Sequence, residues 1–325
     1  MKPHEIAQKL LKGDRRALAR AITLVESGRA DHRQEALALL EAVSTPKRQA
    51  LRIGLSGTPG VGKSSFIEAF GSFLTGKGLS VAVLAVDPSS SRSGGSILGD
   101  KTRMDRLARD PRAFIRPSPS QLHLGGVGRR TQEAAALCEA AGFDIILIET
   151  VGVGQSETLV AGMVDLFLLL LAPAGGDELQ GVKRGIMEMA DLILINKADG
   201  DLKAAATRTC ADYAGALRLL RKRPQDPDGF PKALCVSAQE EVGLDQVWAD
   251  IESLTGWRRA AGIFDQRRAE QARQQFEAEV REGLLARLRQ DEAIRGKMAA
   301  LAAEVEKGLS PSRAAARMLA DLLPK

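Results

Sequence analysis

From Leu51 to about Trp257, short apolar runs alternate with amphipathic stretches. The runs are Leu51–Leu55, Val81–Val86, Ile145–Ile148, Leu166–Leu171, Leu192–Ile195 and Ala233–Val236, and most are near-continuous Val, Ile and Leu. That is the pattern of parallel strands buried on both faces, because the crossover helices cover each side of such a sheet. The alternation predicts an α/β fold with a mostly parallel central sheet flanked by helices. Ligands of such sheets sit at the carboxyl ends of the strands.

The flanks read differently. Residues 1 to about 45 are helical in pattern, with apolar positions Ile6, Leu10, Leu18, Ile22 and Val25, and with Gly13 and Gly28 as stops. After Trp257 the strands cease. Phe276, Val280, Leu284 and Leu288 recur every four residues, and Ile294, Met298, Leu301 and Val305 continue the stripe. Ser310 is placed to N-cap a further helix opened by Pro311. The expected division is a helical N-terminal extension over 1–47, a nucleotide-binding domain over 48–257 and a helical C-terminal arm over 258–325. The arm's stripe must be buried against the central domain or against a second subunit, and periodicity alone leaves both open. All phosphate, metal and guanine motifs are complete by Gln239, so a chain cut at about 262 is expected to keep a folded central domain.

The chemistry begins directly after the first apolar run. Gly57-Thr58-Pro59-Gly60-Val61-Gly62-Lys63-Ser64 meets the pattern G-x-x-x-x-G-K-[ST], and Ser65 opens an amphipathic stretch to Leu74. A strand, a glycine-rich loop and a helix in this order form a phosphate cradle. The glycines let backbone N–H groups point at an oxyanion, Lys63 reaches the β- and γ-phosphates, and the Ser64 hydroxyl ligates Mg²⁺. The fold is therefore expected to be that of a P-loop NTPase. Asn196-Lys197-Ala198-Asp199 follows the run ending at Ile195. A carboxylate such as that of Asp199 accepts from both the ring N–H and the exocyclic amino group of guanine, a pair that adenine lacks. The Lys197 stem can lie along the purine, and Asn196 can tie this loop to the phosphate loop. Ser237, Ala238 and Gln239 end the last run, where backbone groups can meet the guanine carbonyl. GTP and GDP are the expected ligands.

Composition narrows the field further. The chain is 44% hydrophobic and 27% charged, ordinary for a globular protein. The longest unbroken apolar run, Leu166 to Ala172, is too short to span a bilayer. The net charge is +5, but Lys and Arg alternate with Asp and Glu, and only two Trp and one Tyr are present. No nucleic-acid or membrane partner is expected. Cys138, Cys210 and Cys235 are odd in number and widely spaced, as in a reducing cytosol, and His4, His32 and His123 form no metal-ligand spacing. The expected location is cytoplasmic.

Two further runs end on acids. Val86-Asp87-Pro88 and Ile148-Glu149-Thr150-Val151-Gly152 each put a carboxylate at the mouth of the nucleotide cleft, where Mg²⁺ or its waters need oxygen partners. Three blocks then carry a resemblance. They are Val86-Asp87-Pro88-Ser89-Ser90, the stretch from Gly94 to Met104 containing Gly99-Asp100-Lys101-Thr102, and Glu149-Thr150-Val151-Gly152-Val153-Gly154-Gln155-Ser156-Glu157. They resemble the metallocentre-assembly class of P-loop GTPases, and more narrowly the methylmalonyl-CoA mutase-associated group that includes the human methylmalonic aciduria type A protein. Gly176-Asp177-Glu178-Leu179-Gln180-Gly181-Val182-Lys183 resembles that group's third switch.

The resemblance covers nearly the whole chain and implies a Mg-dependent GTPase. Such a protein gates delivery of adenosylcobalamin to an acyl-CoA mutase and protects the mutase, with the C-terminal arm making a homodimer. It implies that Ser64, Asp87, Asp100 and Glu149 serve Mg²⁺ directly or through water. Asp100 or Gln155 would orient the attacking water, Lys63 would neutralise charge, and Lys183 would report the nucleotide state. Hydrolysis by the free protein is expected to be slow. Gln121-Leu122-His123 lies in a loop that departs from relatives, and no role attaches to it. Two other classes stay open. A nickel-insertion GTPase of the same superfamily would carry paired Cys or clustered His, and a P-loop small-molecule kinase or transport-associated ATPase would need an acceptor pocket and lid.

Overall fold

The computed structural model describes residues 2–44, 49–86, 104–117, 124–150, 156–173, 184–220 and 223–322. The chain opens with α1 (Pro3–Leu10), α2 (Arg15–Glu26) and α3 (Ala30–Val43). There follow β1 (Leu51–Gly57), α4 (Lys63–Gly76), β2 (Val81–Val86), α5 (Asp105–Arg109), β3 (Ala113–Arg116) and α6 (Leu124–Ala140). Next come β4 (Ile145–Thr150), α7 (Ser156–Met163), β5 (Leu166–Leu171), α8 (Arg184–Met189), β6 (Leu192–Ile195), α9 (Lys203–Leu219), β7 (Lys232–Cys235) and α10 (Leu244–Ala260). The rest is helical, in α11 (Ile263–Gln290), α12 (Glu292–Glu306) and α13 (Pro311–Leu322).

The strands form one sheet in the order β3-β2-β4-β1-β5-β6-β7, and every strand pairing in it is parallel. The expected parallel sheet with flanking helices is thus present. β1 lies at its centre, with Leu55 opposite Glu149 of β4 and Gly57 opposite Leu170 of β5. One face packs on α4 and α10 through Phe66, Phe70 and Trp248, and the other carries Ile146, Ile148 and Phe167 toward α6 and α9. Strands buried on both faces explain why their sequences are apolar at nearly every position rather than at alternate ones.

One strand was not expected. β3 is four residues long and lies at the sheet edge, paired only with β2. It is bounded by Pro111 and Pro117, and its Ala-Phe-Ile-Arg run carries no alternation or β-branched stretch long enough to stand out. Tertiary contacts hold it in place. Arg15 of α2 donates to the Ala113 carbonyl at 2.6 Å and also to that of Pro111. Arg116 of β3 pairs with Glu26 of α2, and the N-terminal helices are also held on α6, where Arg33 pairs with the buried Glu133 at 2.6 Å. Asp14 caps α2 by accepting from the Arg16 and Ala17 amides at 2.8 and 2.9 Å. Burial pushes the Cys210 thiol up to about 12, and neighbouring Cys235 adds to the shift. All three cysteines are free.

At the amino ends of the strands, opposite the expected ligand edge, lies a buried ion network. Arg258 at the end of α10 pairs with Asp191 at 2.6 Å and Asp226 at 2.5 Å, and donates to the Asp165 carbonyl at 3.0 Å. Arg268 of α11 pairs with Asp165 at 2.6 Å and Glu139 at 3.1 Å, and donates to the Ala50 carbonyl at 2.7 Å. Arg52 of β1 completes the second set through Glu139 at 2.8 Å. Gln271 donates to the Val164 carbonyl at 2.8 Å, and Phe264 is 4% exposed.

The described chain divides into two compact units, residues 1–271 and 272–325. Phe264, Arg268 and Gln271 therefore belong with the sheet, as does Arg267, which donates to the Val164 and Ala161 carbonyls at 2.9 and 3.0 Å. A cut at about 262 removes buried anchors, contrary to the expectation that such a truncation leaves the domain intact. In the second unit α12 and α13 are joined by Lys297–Asp321 at 3.1 Å and Arg317–Glu304 at 3.2 Å. Asp291 caps α12 by accepting from the Ile294 amide at 3.1 Å. Phe276, Val280 and Leu284 of the expected stripe are exposed, as is Met298. Among the described residues no helix is long and apolar enough to cross a membrane.

Candidate nucleotide-binding site

β1 delivers the loop 58–62 to the N-terminus of α4 at the carboxyl edge of the sheet. The glycines at the end of β1 and at the end of the loop cannot carry a side chain. Gly57 has φ +156°, and a Cβ there would stand 2.2 Å from the Leu170 carbonyl oxygen of the neighbouring strand. Gly62, the residue before α4, has φ +89°, and its Cβ would meet Asn196 Nδ2 at 2.7 Å. Both leave the backbone free to turn its N–H groups inward. Lys63 is the first residue of α4, with Ser64 and Ser65 beside it in the first turn. Its Nζ donates to the Gly57 and Thr58 carbonyls at 2.8 and 3.3 Å. Burial holds the Lys63 ammonium below its ordinary pKa, and the carboxylates of Glu149 and Glu157 partly oppose this.

Behind the loop, Thr150 at the end of β4 donates to Ser56 Oγ at 2.9 Å, tying two strand ends together. Glu149, 5% exposed, sits at this edge. A hydroxyl at Ser64 and a carboxylate at Glu149 are hard oxygen donors. That set fits Mg²⁺, which takes one or two protein oxygens together with substrate phosphates. Among the described residues no group of three His, Cys, Asp or Glu could hold a metal ion. Asp87, Asp100, Gln155 and Lys183 lie outside the described residues, as do most of the three blocks that carried the family resemblance.

The guanine motif is physically joined to the phosphate loop. Asn196, 1% exposed, donates from Nδ2 to the Val61 carbonyl at 2.9 Å and accepts at Oδ1 from the Ala238 amide at 3.1 Å. One side chain thus braces three loops. Lys197, at φ +59°, swings its Nζ onto the Gly60 carbonyl at 2.7 Å, so its stem crosses the gap between the two motifs. The Ser237 hydroxyl donates to Asp199 Oδ2 and accepts from the Glu240 amide at 3.0 Å. This fixes the Asp199 carboxylate and leaves Oδ1 without a hydrogen bond among the described residues. Gln239 is exposed beside it. The sequence had placed Ser237 only as a backbone contact. Its role in holding Asp199, and the reach of Lys197 to Gly60, join residues too far apart in the chain for spacing to reveal them.

Comparison with known proteins identifies the family. The family described as "Methylmalonyl Co-A mutase-associated GTPase MeaB" matches residues 18–293. A "Putative GTPase" of Caulobacter vibrioides is 52% identical over 97% of this chain and 96% of its own length. The mouse "Methylmalonic aciduria type A homolog, mitochondrial" is 49% identical over 95% of this chain and 77% of its own length. "GTPase ArgK" of Escherichia coli is 49% identical over 87% of this chain and 86% of its own. A crystal structure of an LAO/AO transport system kinase superposes with a TM-score of 0.75 at 38% identity, covering 99% of this chain and 97% of that one. With the family model matched over most of its length and relatives named GTPases at about half identity, this chain is a GTP hydrolase belonging to the methylmalonyl-CoA mutase-associated GTPase family.

Proposed function

We propose that this GTPase acts as a chaperone for an adenosylcobalamin-dependent acyl-CoA mutase of the methylmalonyl-CoA mutase type, gating cofactor delivery and protecting the mutase. The observation that carries the reading is the family match over residues 18–293, combined with a site in which Asn196 welds the guanine loop to the phosphate loop. Such a weld lets the state of the phosphates reach elements that a partner can touch.

In this reading Lys63 and the first amides of α4 hold the phosphates, and Asp199 reads the base. Ser64 and Glu149, with Asp87 and Asp100, hold Mg²⁺, which when bound neutralises phosphate charge. Asp100 or Gln155 orients the attacking water, and Lys183 signals nucleotide state to the partner. Catalysis here is mostly positioning and charge neutralisation, so turnover of the free protein is slow and the partner accelerates it. In this reading the chain works as an N-terminal extension over 1–47, a GTPase unit that takes in the first turns of α11, and a dimerisation arm in the remainder of the 258–325 span. The bare Phe276, Val280 and Leu284 positions support pairing of two copies.

Single-turnover GTP hydrolysis, measured with and without a purified adenosylcobalamin-dependent acyl-CoA mutase, tests the proposal. Acceleration on adding the mutase, absent in Lys63→Ala, is the expected result. A rate indifferent to the mutase across saturating concentrations would overturn the chaperone reading.

A further inference from the structure

The turn that follows β7 orients Asp199, yet its tip lies in solvent. Residues 237–242 are closed by two backbone bonds, from the Ser237 amide to the Val242 carbonyl at 3.0 Å and from the Val242 amide to the Ser237 carbonyl at 3.1 Å. Inside the turn the Glu240 amide donates to the Ser237 hydroxyl at 3.0 Å, and that hydroxyl donates to Asp199. An amide seated on the Ser237 oxygen leaves the hydroxyl proton to face the carboxylate. Gln239, Glu240, Glu241 and Val242 are exposed, and Glu241 stands at φ +56°. The aim of Asp199 therefore depends on a loop whose far end has little packing of its own.

A side chain from α5 reaches that end. Arg106 donates from Nη2 to Glu241 Oε1 at 2.5 Å, across 135 positions of the chain. Its other groups are tied to α4. The Arg106 amide donates to Glu68 Oε1 at 2.7 Å, and Nε donates to Ser72 Oγ at 3.1 Å. Glu68 also accepts from the Leu107 amide at 3.2 Å, which satisfies two of the free amides in the first turn of α5. Leu107 is fully buried, and a Cβ at Gly71 would stand 2.6 Å from it. The bare glycine lets the two helices touch. α4 is the helix that opens on Lys63 and Ser64. Arg106 thus runs from the phosphate-loop helix to the guanine turn, its planar fork holding a partner on each.

We infer that Arg106 is a positioning residue for base selection: by fastening Glu241 to α4 and α5 it steadies the 237–242 turn, and through Ser237 it keeps Asp199 aimed at the guanine amino group. The inference rests on Asp199 reading the base, as proposed above. Without Arg106 the exposed end of the turn shifts, the Glu240 amide leaves the Ser237 oxygen, and the hydroxyl is free to rotate off Asp199. Inosine diphosphate keeps the ring N–H of guanine but lacks the exocyclic amino group, so its affinity relative to GDP measures that aim.

Displacement of a fluorescent GDP analogue from the full chain by GDP and by inosine diphosphate gives the ratio. The paired side chains are 55% and 48% exposed, and one such ion pair supports a change of about two- to fivefold. Arg106→Met should lower the preference for GDP by that factor. Glu241→Gln should lower it equally, and the double variant no further. Arg106→Lys, which can keep the bond to Glu241, should retain most of the preference. Ser72→Ala should leave it unchanged, because Glu241 stays held. A merely loosened fold weakens both nucleotides alike and does not move the ratio. A preference unchanged in Arg106→Met and Glu241→Gln, while Asp199→Asn lowers it, overturns the inference, as do additive effects in the double variant. A preference unchanged even in Asp199→Asn removes the base reading and the inference with it. Should Arg106→Met fail to fold, Glu241→Gln at its exposed position decides alone.

Discussion

Replacing Arg258 by Met tests whether the ion network at the amino edge holds the GTPase unit together. Arg258 is 2% exposed and Asp191 fully buried. The substitution removes the bonds to Asp191 at 2.6 Å and Asp226 at 2.5 Å, together with the one to the Asp165 carbonyl at 3.0 Å. Asp191 keeps the Phe167 amide at 2.8 Å and a longer pairing with Arg223 at 3.2 Å. Stripping one partner from a buried pair costs about 3–5 kcal/mol, because the remaining charge stays out of water. The retained partners put the expected loss at the lower end, about 3 kcal/mol, against a typical total of about 5–15 kcal/mol. At about 2–4 °C per kcal/mol for a unit of this size, the melting temperature should fall by about 6–12 °C. Thermal unfolding with the GDP concentration held fixed is the assay, since bound nucleotide itself shifts the midpoint.

The pH dependence supplies the sharper check. Burial alone would raise the Asp191 carboxyl, but the guanidinium groups of Arg258 and Arg223 override it and hold the group below the usual carboxylate range. A depressed folded pKa contributes stability that is present above the unfolded value of about 3.9 and is lost as pH falls through the folded one. Without Arg258 the carboxyl titrates higher and can neutralise, so the deficit should be largest near neutral pH and shrink toward pH of about 4. Adding Asp191→Asn to Arg258→Met should recover part of the loss, because the uncompensated charge is gone. A fall in midpoint under about 2 °C, with no pH dependence and no recovery in the double variant, would refute the reasoning.

Gly62→Ala puts a methyl 2.7 Å from Asn196 Nδ2 at φ +89°, so GDP affinity, read with a fluorescent GDP analogue, should drop about tenfold for roughly 1.4 kcal/mol of strain; unchanged affinity would mean the loops can separate freely. Asp199→Asn should shift preference from GTP toward xanthosine triphosphate, since the amide donates where guanine also donates and xanthine accepts; competition binding that still favours GTP would remove Asp199 from base reading. A chain ending at Gln271 keeps Phe264, Arg267 and Arg268 and should bind GDP and sediment as a monomer, whereas one ending at 261 should lose cooperative unfolding; a dimer that survives the first cut would put the interface on the GTPase unit.

The two edges of the sheet explain what the amino-acid sequence could and could not disclose. At the carboxyl edge the chemistry is carried by the backbone, and the backbone needs particular residues at fixed short spacings. Gly57 and Gly62 are required by φ values and by close approaches of 2.2 and 2.7 Å, so they leave a pattern that can be read without coordinates. Five of the strands are equally legible, because burial on both faces excludes polar residues from almost every position, and β7 at the edge, half-buried throughout, is legible only from its short apolar run. β3 escapes because its stability comes from Arg15, nearly a hundred residues away, and not from its own four residues. The amino edge is carried entirely by such distant pairs. Asp165, Asp191, Arg258 and Arg268 have the sequence appearance of solvated charges, and 103 residues separate Arg268 from Asp165. Only folding turns them inward, where each becomes affordable because its partner is already in place. For the same reason an arm boundary drawn where the strands stop falls short of where the packing stops. The strands end by Cys235, but the ion pairs that secure their starts come from α10 and α11, so the first turns of α11 belong to the sheet they hold.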